Sequence, residues 1–193
     1  VMVVKSGDVV LTYQVAENEH DRGILIKSVV PASISKELQE KAKAVAQRAI
    51  ATFNTDGLFC VEQFVTEQGD ILINEIAPRA HNSGHYTIEA CSVSQYESWM
   101  RILAGLPLLA PEQHFHATML NVLGPQAVTG PYQVEGIEQF ALVPQTKLHM
   151  YGKSTTEHRR KIGHITALGL SAEEANERAE LGLKAIRITP MGM

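Results

Sequence analysis

Apolar residues recur along the chain with two periods, and each predicts a different kind of element. Leu38, Ala42, Val45, Ala46, Ala49, Ile50 and Phe53 fall three or four residues apart, the spacing of one buried helical stripe that ends before Gly57. Pro31 precedes it, and either Ser33 or Ser35 can cap its start. Residues 1 to 16 instead alternate around Ser6-Gly7-Asp8, the pattern of a hairpin with a glycine-bearing turn. AENEHDRG then reads as a loop and GILIKSVV, residues 23–30, as a strand. The alternating runs LFCVEQFVT and ILINEIA, joined by EQGD, predict a second hairpin, and two short helices fit between 86 and 104, ending at Gly105 and Pro107.

Beyond Pro107 the texture changes to short strand-like runs, HATMLNVLG, KLHMYGK and GHITALG, broken by Gly and Pro. Ser171 with Glu174 fits a capping box opening a helix, and KAIRI is a last strand. The expectation is an α+β chain with a boundary near 106: a mixed domain over 1–105 and a small β-rich domain over 106–193. Internal repeats and low-complexity segments are not visible.

Composition narrows the possibilities. At 193 residues, 45% hydrophobic and 20% charged, the chain can bury a sizeable core. A net charge of -4 argues against a general nucleic-acid binder, which needs clustered Lys and Arg. Cys60 and Cys91 lack metal-type spacing and read as small buried hydrophobes in a reducing compartment. No run approaches the roughly 18 apolar residues of a membrane helix, so a cytoplasmic protein is the expectation. The opening VMVV reads as the middle of a strand rather than a polar terminus, which suggests that further sequence precedes it.

The chemistry concentrates in the second hairpin. A two-residue loop at Gln68-Gly69 would set Glu62 opposite Glu75 and Phe64 opposite Ile73. Two facing carboxylates repel each other, and a divalent cation resolves the conflict, since Mg2+ takes hard oxygens and commonly binds one or two carboxylates plus substrate phosphates. The alternative is an exposed face on which the two glutamates simply diverge. The adjoining segment favours the site: NEIAPRAHNSGHYT packs Asn74, Glu75, Arg79, His81, Asn82, Ser83 and His85 into a dozen residues, offering a metal ligand, a guanidinium for anions and imidazoles that work near neutral pH. A second cluster, Lys153, His158, Arg159, Arg160 and Lys161, suits an anionic ligand or, equally, a solvated loop. His114, His116 and His149 read as ordinary histidines, His164 in KIGH as a weak candidate, and Tyr96 and Trp99 as core residues at helical spacing.

GLFCVEQFVTEQGDILINEIAPRAHNSGHYTIEACSVSQYESWMRILAGLPL resembles the N5-carboxyaminoimidazole ribonucleotide synthases of the ATP-grasp family, with NEIAPRAHNSGH as its most specific part. ENEHDRGIL and LHMYGKSTTEHRRKIGHIT are similar to that family's other signatures, so the resemblance covers nearly the whole chain. It implies the C-terminal half of an ATP-grasp domain, an antiparallel sheet with helices over 1–105, followed by the small β-rich domain. It also implies ATP-dependent carboxylation of 5-aminoimidazole ribonucleotide by bicarbonate, through carboxyphosphate, with ADP and phosphate released, in purine biosynthesis, by a homodimer. Carried over, Glu62 and Glu75 would hold Mg2+, with His20, Asn74 and Glu75 at ATP. Arg79 and His81 would face the bicarbonate-derived group, Asn82, Ser83 and His85 would shape the pocket, and Lys153 and Arg160 would hold the ribonucleotide phosphate. The resemblance departs near Glu157, where the family pattern has an arginine, and near His158-Arg159, where it has Pro-Gly. A phosphate-cradling GxxxxGK or GxGxxG is absent, so the chain is expected to be a fragment of the parent enzyme that is inactive alone. Two other readings stand beside it: an inactive module that self-associates or pairs with an N-terminal half, and an ATP-grasp enzyme acting on another amine, which HNSGH disfavours.

Overall fold

The computed structural model describes residues 1–192. In chain order, β1 (Met2–Ser6) and β2 (Val9–Thr12) form one hairpin and β3 (Glu17–Asp21) and β4 (Ile24–Val30) another. Helix α1 (Lys36–Ala51) precedes the hairpin of β5 (Gly57–Val65) and β6 (Ile71–Ala77). A 3-10 turn at Asn82–Gly84, α2 (Thr87–Ala90) and α3 (Gln95–Leu103) follow. Then come β7 (His116–Leu123), β8 (Gly130–Glu135), α4 (Ile137–Ala141), β9 (Thr146–Met150), β10 (Thr155–Thr156), β11 (Lys161–Gly169), α5 (Ala172–Ala185) and β12 (Arg187–Pro190).

Packing divides these elements into two compact units, one of Val1–Glu17 with Val29–Phe115, the other of Asn18–Ser28 with the residues from His116 on. The first is built on an antiparallel sheet of order β2-β1-β5-β6. Both of its faces are covered around β1 and the first half of β5. Val3, Phe59 and Val61 pack against Ala46 and Ile50 of α1, while Met2, Val4, Leu58, Cys60 and Ala77 meet Tyr13 and, from α3, Ile102. Neighbouring Val3 and Val4 are therefore both fully buried, one on each layer, as the two-residue period of a strand requires. Ser35 is the cap of α1, accepting the Leu38 N–H at 3.2 Å. Phe53 lies beyond the helix yet closes the stripe edge-on against Phe59, with ring centroids 5.6 Å apart.

The second unit holds a five-stranded sheet, β3-β4-β7-β11-β9, and a three-stranded one, β10-β8-β12. Val122, Ile162, Ile165 and Ile186 form its core with Phe140 of α4, and α5 packs through Ala179 against Leu120 and Ala167. The segment 17–21, expected as a loop, is strand β3. Its Glu-Asn-Glu-His-Asp sequence has no apolar alternation because it is the outer strand of the sheet, where polar side chains are the rule. Arg22 (φ 47°) and Gly23 (φ 77°) turn it into β4 with the two left-handed residues of a tight hairpin. That hairpin belongs with β7, to which the Asn121 amide ties it through the Leu25 carbonyl at 2.8 Å. Strand β8 and the five-residue α4 also lie outside the sequence expectations. The capping box at α5 is half formed: Ser171 accepts the Glu174 N–H, whereas the Glu174 carboxylate takes the N–H of Leu170.

Candidate functional site

Glu62 and Glu75 are Cα partners on β5 and β6, but two local features combine to put them there. The connection is longer by one residue than expected: Thr66 and Asp70 close it, the Gly69 N–H donates back to the Thr66 carbonyl at 2.9 Å, and Gly69 takes φ 78°. This moves the register by one, so Phe64 faces Leu72 and not Ile73, and Gln63 faces Ile73. Between Glu62 and Gln63 the register shifts back, because Asn74 is an extra residue on β6. A β-bulge of this kind breaks the alternation of the strand and re-aims side chains. Here it restores the two carboxylates to opposite positions and places Asn74 beside them.

On β5 the face that carries Glu62 also carries Cys60 and Phe64. Phe64 and its partner Leu72 are 60% and 53% exposed, an apolar surface next to the carboxylates that the sequence reading did not single out. Glu62 itself is held. Its Oε1 lies 3.3 Å from His81 Nε2, with side-chain exposures of only 19% and 11%. On the other side of the ring, the Ser83 backbone N–H points at His81 Nδ1 and the Ser83 hydroxyl lies 2.8 Å from it. A backbone N–H can only donate, so neutral His81 carries its hydrogen on Nε2, toward the carboxylate. Ser83 is buried and its Oγ lies 3.6 Å from Cys60 Sγ. Asn82 and His85 flank this turn and are half-buried. Arg79 is exposed, one guanidinium N–H donating to the Ala80 carbonyl at 3.0 Å.

Sequence reasoning missed the residue that ties this loop together. Gln95, the first residue of α3, is fully buried. Its amide bonds both main-chain groups of His81 at 3.0 Å and lies 3.1 Å from His85 Nδ1. Its own N–H donates to Thr87 Oγ1, and the Thr87 hydroxyl donates to the Gly84 carbonyl. Tyr96, expected in the core, is 38% exposed. It stacks on His85 and brings its hydroxyl within 3.1 Å of Nδ1. Trp99 and Leu103 also reach the surface, so the apolar stripe of α3 is not wholly core. Both cysteines are free. Burial pushes the Cys91 thiol up to about 12 and raises that of Cys60, so neither forms a thiolate at neutral pH.

The remaining candidates lie in the second unit. His20 is exposed on β3. Lys153 and Arg160 are half-buried: Lys153 Nζ donates to the Lys161 carbonyl at 2.7 Å and Arg160 to Thr155 Oγ1 at 3.2 Å. Arg159 does different work. Its guanidinium grips Asp21 through both the carboxylate and the main-chain carbonyl, holding the Asp21 carboxyl below its ordinary range. Arg159 has φ 65°, the left-handed conformation that favours glycine. His164 is buried, stacked on His149 at 4.5 Å and 3.0 Å from the Tyr151 hydroxyl.

Among the described residues no group of three or more His, Cys, Asp and Glu forms a metal cluster. Two opposed carboxylates still fit Mg2+, which keeps several waters and takes its other ligands from phosphates. Transition metals, which favour imidazole and thiolate, fit this oxygen pair less well.

Comparison with known proteins gives matches along most of the chain. The ATP-grasp domain model matches residues 1–96, and the model of the phosphoribosylaminoimidazole carboxylase C-terminal domain matches residues 117–178. N5-carboxyaminoimidazole ribonucleotide synthase of Bacillus subtilis (strain 168) is 40% identical over 175 residues, which are 90% of this chain and 44% of that protein. Phosphoribosylaminoimidazole carboxylase of Saccharomyces cerevisiae is 40% identical over 184 residues, 92% of this chain and 32% of its own. The crystal structure of N5-carboxyaminoimidazole ribonucleotide synthetase from Thermotoga maritima superposes with a TM-score of 0.89 at 35% identity, over 98% of this chain and 51% of that one. The Aspergillus clavatus enzyme, solved with ADP and 5-aminoimidazole ribonucleotide, gives 0.86 at 33% identity, over 95% and 49%. The chain spans about half the length, or less, of these relatives.

Proposed function

Because the chain belongs to the ATP-grasp family, among the N5-carboxyaminoimidazole ribonucleotide synthases, we propose that it supplies the metal and imidazole side of an enzyme that carboxylates 5-aminoimidazole ribonucleotide with bicarbonate and ATP. In this reading bicarbonate oxygen attacks the γ-phosphorus, ADP leaves, and the ribonucleotide amine then attacks the carboxyl carbon as phosphate departs. The observation that carries the proposal is the opposed pair Glu62 and Glu75 with Asn74 bulged beside them. When bound there, Mg2+ would neutralise charge on the phosphates.

The chain's own residues do the rest. His81, anchored by Ser83, donates from Nε2 to Glu62 and fixes the direction of that carboxylate, as outer hydrogen bonds do for metal ligands. Arg79, exposed just after β6, is assigned to the anionic carboxyl-phosphate group, with His81, Asn82, Ser83 and His85 shaping the pocket around it. His20, Asn74 and Glu75 are assigned to ATP, with Phe64 and Leu72 as an apolar surface for a flat base. Lys153 and Arg160 are assigned to the ribonucleotide phosphate. No helix of the described chain is long and apolar enough to cross a membrane, and we place the enzyme in the cytoplasm as a homodimer. A second reading, a folded module that serves only association, draws support from exposed Trp99, Met100 and Leu103 on α3.

The test is ADP release by an enzyme of the relatives' full length that carries these residues. Release that requires the ribonucleotide and bicarbonate together supports the ligase. Glu75→Gln should then lower turnover by about 100-fold or more, the scale of a lost transition-state charge contact, with the melting temperature unchanged. Wild-type turnover in the variant would remove Glu75 from the site, and absence of any release in the parent would favour the module.

A further inference from the structure

We propose that Gln95 is a positioning residue whose buried amide fixes the backbone of His81 and the imidazole of His85 in one arrangement, with neutral His85 carrying its hydrogen on Nε2. A glutamine amide can be turned two ways, and here the main chain decides. The His81 N–H lies 3.0 Å from Oε1 and the His81 carbonyl 3.0 Å from Nε2, so oxygen and nitrogen cannot be exchanged without two clashes of like groups. The NH2 group is therefore the end that faces His85 Nδ1 at 3.1 Å. An amide nitrogen only donates, which makes Nδ1 the acceptor, and the Tyr96 hydroxyl at 3.1 Å can donate to the same atom.

The surroundings leave Gln95 little freedom. It has no exposed surface, its N–H is bound to Thr87, and the space where a Cβ on Gly84 would sit lies 2.7 Å from Gln95 Oε1 and 2.9 Å from Cδ. Gly84 is thus the residue that lets the amide reach His81. The segment 81–85 takes its shape from one side chain whose atoms never face solvent.

The consequence for turnover rests on the reading of residues 81–85 as part of the reactant pocket; the tautomer does not. Two measurements separate them. In the full chain with 15N-labelled histidine, at alkaline pH where imidazoles are neutral, His85 Nδ1 should give the shift of an unprotonated nitrogen and Nε2 that of a protonated one. A protonated Nδ1 overturns the proposal. In the full-length enzyme, Gln95→Met should lower kcat by about 100-fold, as misplacement of a reacting group does, while KM for ATP stays near the parent value. An unchanged kcat overturns the positioning role. If the parent itself shows no turnover, the ligase reading fails and the nitrogen shifts alone decide the proposal.

Discussion

The loop after β6 and the loop before β11 both gather polar groups, and they are held by opposite means. In the first, residues 81–85 hang on the buried neutral amide of Gln95 and the Thr87 hydroxyl; the Glu62 carboxylate beside His81 is largely covered, and the half-exposed Tyr96 reaches only His85. In the second, residues 157–160 are tied to the main chain of Gly124 at 2.7 and 2.9 Å and clamped by an ion pair at the surface, Arg159 to Asp21. A buried network leaves no cheap way to lose a member, because the orphaned partner stays dry. An exposed ion pair is screened by salt and contributes little. The first loop should therefore behave as part of the core and the second as an adjustable rim.

The sharpest way to break this contrast is Gly84→Ala. The added methyl would meet the Gln95 amide at 2.7 Å and Met2 Cγ at 3.0 Å, and overpacking of this kind costs about 1–3 kcal/mol. Urea denaturation should show that loss as a lower midpoint at constant slope, and an unaltered midpoint would mean the buried clamp is slack. Arg159→Gly should cost far less. It removes the Asp21 contact, yet it relieves a left-handed residue, worth about 1 kcal/mol, so the net change should stay within about 1 kcal/mol of zero. A loss beyond about 2 kcal/mol would place the second loop in the same class as the first.

The smallest expected effect concerns charge. Arg159 depresses the Asp21 carboxyl, so its contribution is present above the ordinary aspartate range and is lost as pH falls below about 4. Amide exchange of residues 157–160 should quicken in that acid window and, near neutrality, with added salt. Exchange at 81–85 should ignore the salt. Equal salt responses in both loops would erase the distinction.

How much of this was legible in the sequence depends on what each residue's neighbours reveal. The opposition of Glu62 and Glu75 was readable, although the route to it was not. The loop is one residue longer than a Gln-Gly turn implies and the Asn74 bulge adds one residue back, so two local departures cancel at the carboxylates and survive at Phe64. β3 was illegible because an outer strand with polar side chains carries no alternation. Gln95 was hidden in SVSQYESW, where a glutamine reads as helix surface. A signal existed: with Ser94 as the cap, the side chain at the first helical position leans back over the preceding turn, which is the polar loop. The exposed Tyr96 and Trp99 erred in the other direction, since helical spacing marks a face without saying what covers it.

β6 is the outer strand of its sheet, and Leu72 and Ile73 are exposed along it. Such a margin invites a neighbouring molecule to add a strand, and repeated addition leads to fibres. The register shift at Asn74 breaks the regular run of this strand, and the charge of Glu75 follows it directly. The same irregularity that sets two carboxylates face to face is therefore also a guard against added strands, and a variant with Asn74 deleted is expected to become less soluble.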